Sequence, residues 1–357
     1  MTTSRHLRRL ACVSASLTVL LGVAAGCSGS HKKVAATKPV PTTTSAAPTT
    51  PSTTSAAPKP VPRNPLTGLP GVPKSPLLAV KIDDTAPGRP QVGIDKADVV
   101  YIEAVEAGLT RLAALYGTNK PTVGYVRSTR PADPDIMRQY GPITEVFSGG
   151  QKVSRTILSK AGVHRFDQDD GYPFFYRVDR SASDYINVEI DLKSVAKRVK
   201  TPAPKSNGWT FNPSLAGLTT SAAPVMNTVV TGTYSTGTAV SFRWDAKLGR
   251  YVRYIDGVRQ HAADGNAITA TNVIVQSCKV VSFPADKDVN GNPAQLTYTV
   301  GSGKVAVFRQ GRRIEGTWSR SNATSGTTLR TSTGKPLPLN PGNTWVVLVR
   351  NGIPVHS

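Results

Sequence analysis

The sequence predicts an α+β protein, in which an N-terminal mixed α/β layer domain is followed by a mostly antiparallel β domain of sandwich or barrel-like form. Three observations lead to this class. Short apolar runs alternate with helical patterns from residue 64 to about residue 205, which is typical of α/β layers. From about residue 206 the helical period disappears, and short β-rich runs are separated by turn signals, as in sandwiches and barrels. About 290 residues remain between the unstructured ends, which is enough for two domains.

Residues 1–26 are predicted to be a lipoprotein signal peptide. The basic start MTTSRHLRR precedes an apolar run at 10–25, which is short for a transmembrane helix. The small residues of AAGC before Cys27 resemble the lipobox of bacterial lipoproteins, although Ala24 stands where leucine is usual. A lipidated Cys27, carrying acyl chains such as palmitate, would anchor the chain to the outer face of the cytoplasmic membrane. Plain cleavage with full secretion is the alternative.

Residues 27–63 are predicted to form the lipidated end and a disordered stalk. TTSAAP occurs at 43–48 and again at 53–58, in a background of Pro, Thr, Ser, Ala and Lys. Such a composition cannot build a core. At roughly 3.1 Å per residue, the extended stalk would hold the body up to ~110 Å from the lipid. Lys32 and Lys33 lie beside the anchor, where acidic head groups would attract them.

Residues 64–205 are predicted to form the mixed domain. The predicted strands, from their β-branched and aromatic content and Gly or Pro boundaries, are LLAVKID, DVVYIEAVE, RLAALYG, TVGYVRS and ITEVFSGG. The predicted helices are QKVSRTILSKAG and DLKSVAKRVK. In the second, apolar residues recur at spacings of three and four, and Asp191 is placed to cap the helix.

Residues 206–357 are predicted to form the all-β domain. The predicted strands are AVSFRWD, RYVRYIDG, NVIVQSCKVVS, LTYTVGSG, KVAVFRQG, RIEGTWS and TWVVLVRNG. Their regular hairpins favour a packing and interaction module over a catalytic one. Cys278 has no partner cysteine left once Cys12 leaves with the signal and Cys27 carries lipid. We expect it to be a small buried thiol.

Several segments together resemble one family. The run NPLTGLP is followed by LLAVKIDDTAPGRPQVGIDKADVVYIEAVEAGLTRLAALYG, then by VGYVRSTRPADPDIM, and late in the chain by GTWSR and LPLNPGNTWVVLV. This order is similar to that of the YerB-like bacterial lipoproteins, and the resemblance covers nearly everything after the stalk. It implies envelope attachment and a two-domain body of unknown function. The chain departs from the family at RVDRSASDYIN, where a Pro-His-Asn stretch is expected; if that histidine is catalytic, its absence favours a binding protein.

The candidate site lies in VGYVRSTRPADPD, at residues 123–135. Arg127 and Arg130 flank Ser-Thr at a predicted strand end, where side chains often face a crevice. Two guanidiniums there could grip a phosphate or carboxylate, and Asp133 and Glu106 complete the predicted binding set. The alternative is that the arginines pair internally, with the nearby carboxylates of Asp133, Asp135, Glu103 or Glu106.

Other reactive patterns are incomplete. Residues 194–197 read Ser-x-x-Lys, but SDY precedes them and no Lys-Thr-Gly strand follows. The histidines show no metal-binding spacing. The Asp pair at 83–84 and DQDDG at 167–171 could hold a hard cation, although Asp before Gly favours a turn. Neither TGTYSTG nor GSGKVAV ends as a nucleotide-binding loop does. No cofactor and no metal are predicted.

The formal charge of +21 includes three arginines of the leader, so the mature chain keeps +18. Such a charge favours an anionic partner, and the signal peptide favours the envelope over nucleic acid. The leading hypothesis is therefore a non-enzymatic, lipid-anchored envelope protein that binds an anionic cell-wall polymer or an envelope partner. The alternative is a hydrolase or transferase acting on a phosphodiester or glycan of the envelope. There Arg127 and Arg130 would hold the charged group, and Asp133 or Glu106 would act as acid or base.

Overall fold

The structure is a computed structural model, and it describes residues 61–179, 183–230 and 237–357. They all belong to one unit, Lys59–Ser357. They fold mostly into strands, with few helices and several sheets. The predicted signal peptide, Cys27 and nearly all of the predicted stalk lie outside the described residues.

Strands dominate both halves of the chain. In the first half they are β1 (Leu78–Asp83), β2 (Val99–Ala104), β3 (Thr110–Tyr116), β4 (Thr122–Gly124), β5 (Thr144–Phe147), β6 (His164–Asp167), β7 (Phe175–Arg177) and β8 (Val188–Asp191). In the second half they are β9 (Ser221–Ala222), β10 (Val225–Val229), β11 (Ala239–Asp245), β12 (Arg250–Ile255), β13 (Val258–Arg259), β14 (Thr269–Ala270), β15 (Asn272–Lys287), β16 (Pro293–Tyr298), β17 (Gly301–Arg309), β18 (Arg312–Arg320), β19 (Thr328–Thr331) and β20 (Thr344–Arg350).

The described α-helices are short. They are α1 (Asp133–Met137), α2 (Lys152–Lys160) and α3 (Leu192–Arg198). Both predicted helices are confirmed as α2 and α3, and the Asp191 carboxylate caps α3 by accepting from the Lys193 backbone N–H. Short 3-10 turns lie at Ala86–Gly88, Ile94–Lys96, Glu106–Gly108, Arg138–Tyr140 and Gln168–Asp170. The α+β prediction therefore overstates the helices, because most of the first half is strand and loop.

One twelve-stranded sheet runs through the whole unit. Its order is β19-β18-β17-β15-β20-β2-β3-β1-β5-β6, with β16 beside β15 and β9 beside β18. The last strand, β20, lies between β2 and β15 and is parallel to both. Strands on either side of residue 205 thus share this sheet, while the predicted domain boundaries stay a prediction. Two smaller sheets have the orders β10-β11-β12-β13, with β14 beside β12, and β4-β8-β7.

The central strands of the large sheet, namely β1, β2, β3, β5 and β20, are buried on both faces, which explains their nearly continuous apolar runs. In β1, Leu78, Val80 and Ile82 contribute to one apolar cluster. Ala79 points the other way, into a second cluster shared with Ile274 of β15. Each cluster draws residues from both halves of the sequence.

The distal part of β15 contacts the first half of the chain. This part pairs antiparallel with β16, and its end contacts α2. Ser154 of α2 donates a hydrogen bond to the buried Asp286 carboxylate. The Gln151 amide donates to the Lys287 carbonyl at 2.8 Å. The distal part of β15 therefore lies beside α2, in the half of the chain that carries the candidate site.

Cys278 is 1% exposed, as predicted, and burial raises the pKa of its thiol to about 12. In the part of the chain that the structure describes, no helix has the length and apolarity needed to cross a membrane.

Candidate functional site

One end of the large sheet carries a polar cluster on an otherwise apolar face. Side chains alternate across a strand, so Lys81 and Asp83 follow Ala79 on the same face of β1. Glu145 lies likewise between Ile143 and Phe147, which both belong to the second apolar cluster. The neighbouring strands place further charged residues here: Glu103 on β2 and Arg111 on β3.

Lys81 is the centre of the innermost part of this cluster. Its ammonium donates to the Asp133 carboxylate at 2.7 Å and also pairs with Glu103, and all three side chains are fully buried. The Thr129 hydroxyl lies 3.1 Å from Asp133 and 3.3 Å from Glu145. Asp133, one of the predicted binding residues, is thus engaged inside the protein.

The charges in this inner group shift one another's pKa values. Burial alone would lower the pKa of Lys81, but the charges of Asp133 and Glu103 outweigh it and the net pKa is raised. Burial raises the pKa of Glu103 to about 7, and the Asp133 charge adds to this effect. Burial also raises the pKa of Glu145 well above its ordinary value. For Asp133, the effect of burial is outweighed by Lys81, so its pKa is lowered.

Arg130 forms a two-armed ion pair with Glu106. Its Nε lies 2.7 Å from Oε1, and its Nη2 donates to Oε2 at 3.0 Å. Both side chains are 10% exposed or less. The Arg130 backbone N–H donates to the Asp133 carboxylate at 2.6 Å. Arg130, Glu106 and Asp133 are therefore brought together as the sequence predicted, but as internal partners.

Arg127 lies nearer the surface. Its Nε is 3.0 Å from Oδ2 of Asp83, and a quarter of its side chain is exposed. Its guanidinium also stacks over the exposed Tyr185 ring at 5.8 Å. Among the described residues, Asp83 and Tyr185 are the partners that the Arg127 side chain contacts. Sequence reasoning missed Asp83 as its partner, because Asp83 was interpreted only as a turn residue or cation ligand.

Arg111 is the site residue that sequence reasoning missed altogether. It is 4% exposed, and its Nε and Nη1 have no hydrogen-bond partner among the described residues. Burial lowers the pKa of Arg111 to about 10, and the charge of Arg130 adds to this lowering. One signal could have revealed it: an arginine inside the apolar run TRLAALY is costly to bury without a partner.

The other sequence candidates are engaged in interactions within the protein. Asp84 receives both hydrogen bonds of the buried Arg253, at 2.9 and 2.8 Å. In DQDDG, Asp167 caps a 3-10 turn and pairs with Arg155. The Ser194 hydroxyl donates to Asp191 at 2.6 Å. Over the described ranges, no group of three or more His, Cys, Asp or Glu side chains is arranged to hold a metal ion.

A second charged feature lies at the sheet that contains β11, β12 and β13. We call it the basic face, and it consists of Arg243, Lys247, Tyr254 and Arg259. The Arg243 guanidinium stacks 4.1 Å from the Tyr254 ring centroid. Arg259 stands opposite Tyr254 on the adjacent strand. With Lys247 these residues line a depression of about 440 Å³, which Asp245 also lines. The three cations are exposed, and none has an ion-pair partner in the part of the chain that the structure covers.

Comparisons with known proteins agree in one family. Residues 66–205 match the N-terminal domain, and residues 230–346 the C-terminal domain, of a protein of unknown function (DUF3048). The chain is 26% identical over 295 residues to "Putative lipoprotein YerB" of Bacillus subtilis, covering 80% of this chain and 85% of that protein. The crystal structure of the YerB protein from Bacillus subtilis matches with a TM-score of 0.69 at 23% identity, covering 83% of this chain and 99% of that chain. This second likeness shows the fold.

Proposed function

Because this chain belongs to the DUF3048 family of two-domain proteins of unknown function, we propose that it is a lipid-anchored envelope protein that binds an anionic cell-wall polymer through its basic body. Its Bacillus relative is named a lipoprotein, and the AAGC motif that ends in Cys27 supports the same anchor here. The anchor and the stalk would place the folded unit outside the cytoplasmic membrane, within reach of the wall.

The basic face is the observation that carries the binding part of the proposal. Cations without internal partners keep their attraction for an external anion, whereas paired cations are largely neutralised. An arginine stacked on a tyrosine keeps its N–H edges available for oxyanions. Polymers that alternate sugar rings with phosphate groups offer both a surface for Tyr254 and charges for Arg243 and Arg259.

The enzymatic alternative is supported less. It needs Glu106 or Asp133 free to move a proton at the substrate. Glu106 is instead held by both arms of Arg130, and Asp133 accepts from Lys81 and from the Arg130 backbone. These contacts support a binding role over acid–base catalysis.

The test uses the full-length chain, purified in detergent, and a phosphate-containing wall polymer on beads. We expect binding that falls steeply with salt, because exposed charges are screened. The double variant Arg243→Met/Arg259→Met should bind less polymer. Arg330→Met/Lys335→Met removes the same charge at exposed positions on and beside β19, and it should bind like the wild type. Salt-independent binding, absent binding or equal loss in both variants would contradict the proposal.

A further inference from the structure

We infer that Arg111 and Arg127 form a binding site for a phosphate group at the polar end of the large sheet. This site is separate from the basic face. The inference rests on the proposed function only for the source of the phosphate, which is either the polymer or free phosphate, and not for the site itself.

The register of the sheet shows why Arg111 is available. Arg111 stands opposite Asp83 on β1 and opposite Glu103 on β2. Either carboxylate would be its natural cross-strand partner. However, Asp83 pairs with Arg127, and Glu103 pairs with Lys81. Arg111 itself forms no ion pair among the residues described here.

The Arg111 guanidinium has no carboxylate in direct contact among the described residues. Asp83 balances Arg127, and Glu106 balances Arg130. The third guanidinium, Arg111, is 4% exposed. Burial lowers the pKa of Arg111, and the charges of Arg130 and Arg127 add to this, while Asp83 and Glu106 oppose it without forming an ion pair with Arg111. A buried charge without a counter-ion is strongly unfavourable. A bound anion would supply the missing counter-charge.

Arg127 gives the proposed site a partly exposed edge. A quarter of the Arg127 side chain is exposed, and Tyr185 beside it is 67% exposed. Ser128 and Gly149 lie close in sequence or in space to this edge, and both are half-buried. A Cβ added at Gly149 would lie 3.7 Å from the Ser128 hydroxyl oxygen.

Phosphate suits this arrangement better than a carboxylate. A carboxylate is planar and is satisfied by one guanidinium fork, as Glu106 is by Arg130. Two guanidiniums that approach from different strands and loops can share the several oxygens of a tetrahedral anion. Arg130 would not bind the anion directly, because its donors are already committed to Glu106 and to the Thr129 carbonyl.

The experiment measures binding of inorganic phosphate to the full-length chain by calorimetry and by thermal melting, against chloride at equal ionic strength. Arg111→Met removes the charge but keeps an unbranched stem. Its phosphate affinity should fall about 10- to 100-fold, the effect of losing one charge-assisted hydrogen bond. Its melting temperature without phosphate should be equal to or above that of the wild type, because an unpaired buried charge has been removed. Lys335→Met, beside the edge strand β19 and several strands away from β3, should bind phosphate normally.

The inference is overturned if the wild type gains no melting stability from phosphate over chloride, or if Arg111→Met binds phosphate as well as the wild type. If Arg111→Met does not fold, Arg127→Met replaces it, because Arg127 is partly exposed. Unchanged phosphate binding in that variant would overturn the site equally. Binding experiments with the polymer then show whether the site takes a phosphate group of the polymer or free phosphate. If phosphate competes with the polymer for the wild type, and this competition is lost in Arg111→Met, the site binds a phosphate group of the polymer. Phosphate binding without any polymer binding supports free phosphate, and it refutes the proposed function while the site remains.

Discussion

Replacement of Arg130 by alanine is expected to destabilise the folded unit. The Arg130 guanidinium reaches Glu106 with two nitrogens, and the two side chains are 10% and 5% exposed. Alanine would leave the Glu106 carboxylate buried without its counter-ion. Removing one member of a buried pair typically costs about 3 to 5 kcal/mol.

This cost converts into a measurable shift in melting temperature. The unfolding entropy of a unit as large as Lys59–Ser357 is roughly 0.6 kcal/mol per kelvin. The melting temperature of Arg130→Ala should therefore fall by roughly 5 to 8 °C. Thermal melting followed by circular dichroism, in phosphate-free buffer, would measure it.

The pairing explanation also predicts non-additivity. The double variant Arg130→Met/Glu106→Leu leaves no unpaired charge, so it should melt closer to the wild type than Arg130→Ala does. If Arg130→Ala melts within about 1 °C of the wild type, the Arg130–Glu106 pair does not stabilise the fold. If that variant also loses phosphate binding, Arg130 acts on the ligand directly.

Three further predictions concern other parts of the chain. The folded state holds a proton on Glu103 up to a pKa of about 7, against an ordinary 4.5, so its contribution to stability is full below pH 4.5 and is lost as pH rises through 7. Urea denaturation at pH 5 and pH 8 should show a smaller loss of stability for Glu103→Gln than for the wild type. Cys278 should react with a thiol reagent only after unfolding, because its thiol is buried and its pKa is raised to about 12; rapid labelling of the native chain would contradict this. Gly316→Ala should lower the melting temperature, because the new Cβ would lie 2.0 Å from the Arg330 carbonyl oxygen. Gly334→Ala is the control: Gly334 has open space beside it but a positive φ, so this replacement should cost less than about 2 kcal/mol.

Local elements of this fold could be predicted from the sequence. The strands β1, β2, β3 and β5 stand out as β-branched runs, and α3 stands out by its period and by the capping Asp191. These signals lie within a few residues of one another. The short helix α1 was missed, because its five residues begin with Asp-Pro and are too few to show a helical period.

Long-range pairing could not be predicted in the same way. Nothing in TWVVLVR indicates that β20 pairs with β2, which lies more than two hundred residues earlier. The site depends on such pairings. Asp83 could be recognised as the partner of Arg127, and Arg111 as a buried cation without one, only once the order of β1, β2 and β3 was known. The sequence analysis placed Arg130, Glu106 and Asp133 in one candidate set, but it left open whether they bind a ligand or pair with one another.

The central position of β20 determines when this protein can finish folding. A chain that emerges from its N-terminus can form the β1–β3 and β2–β3 pairs early, but β2 and β15 cannot be joined until residues 344–350 have appeared. Until then both strands present open edges, which invite pairing between separate molecules. A chain cut before Thr344 would therefore be an aggregation-prone fragment with its sheet divided in two.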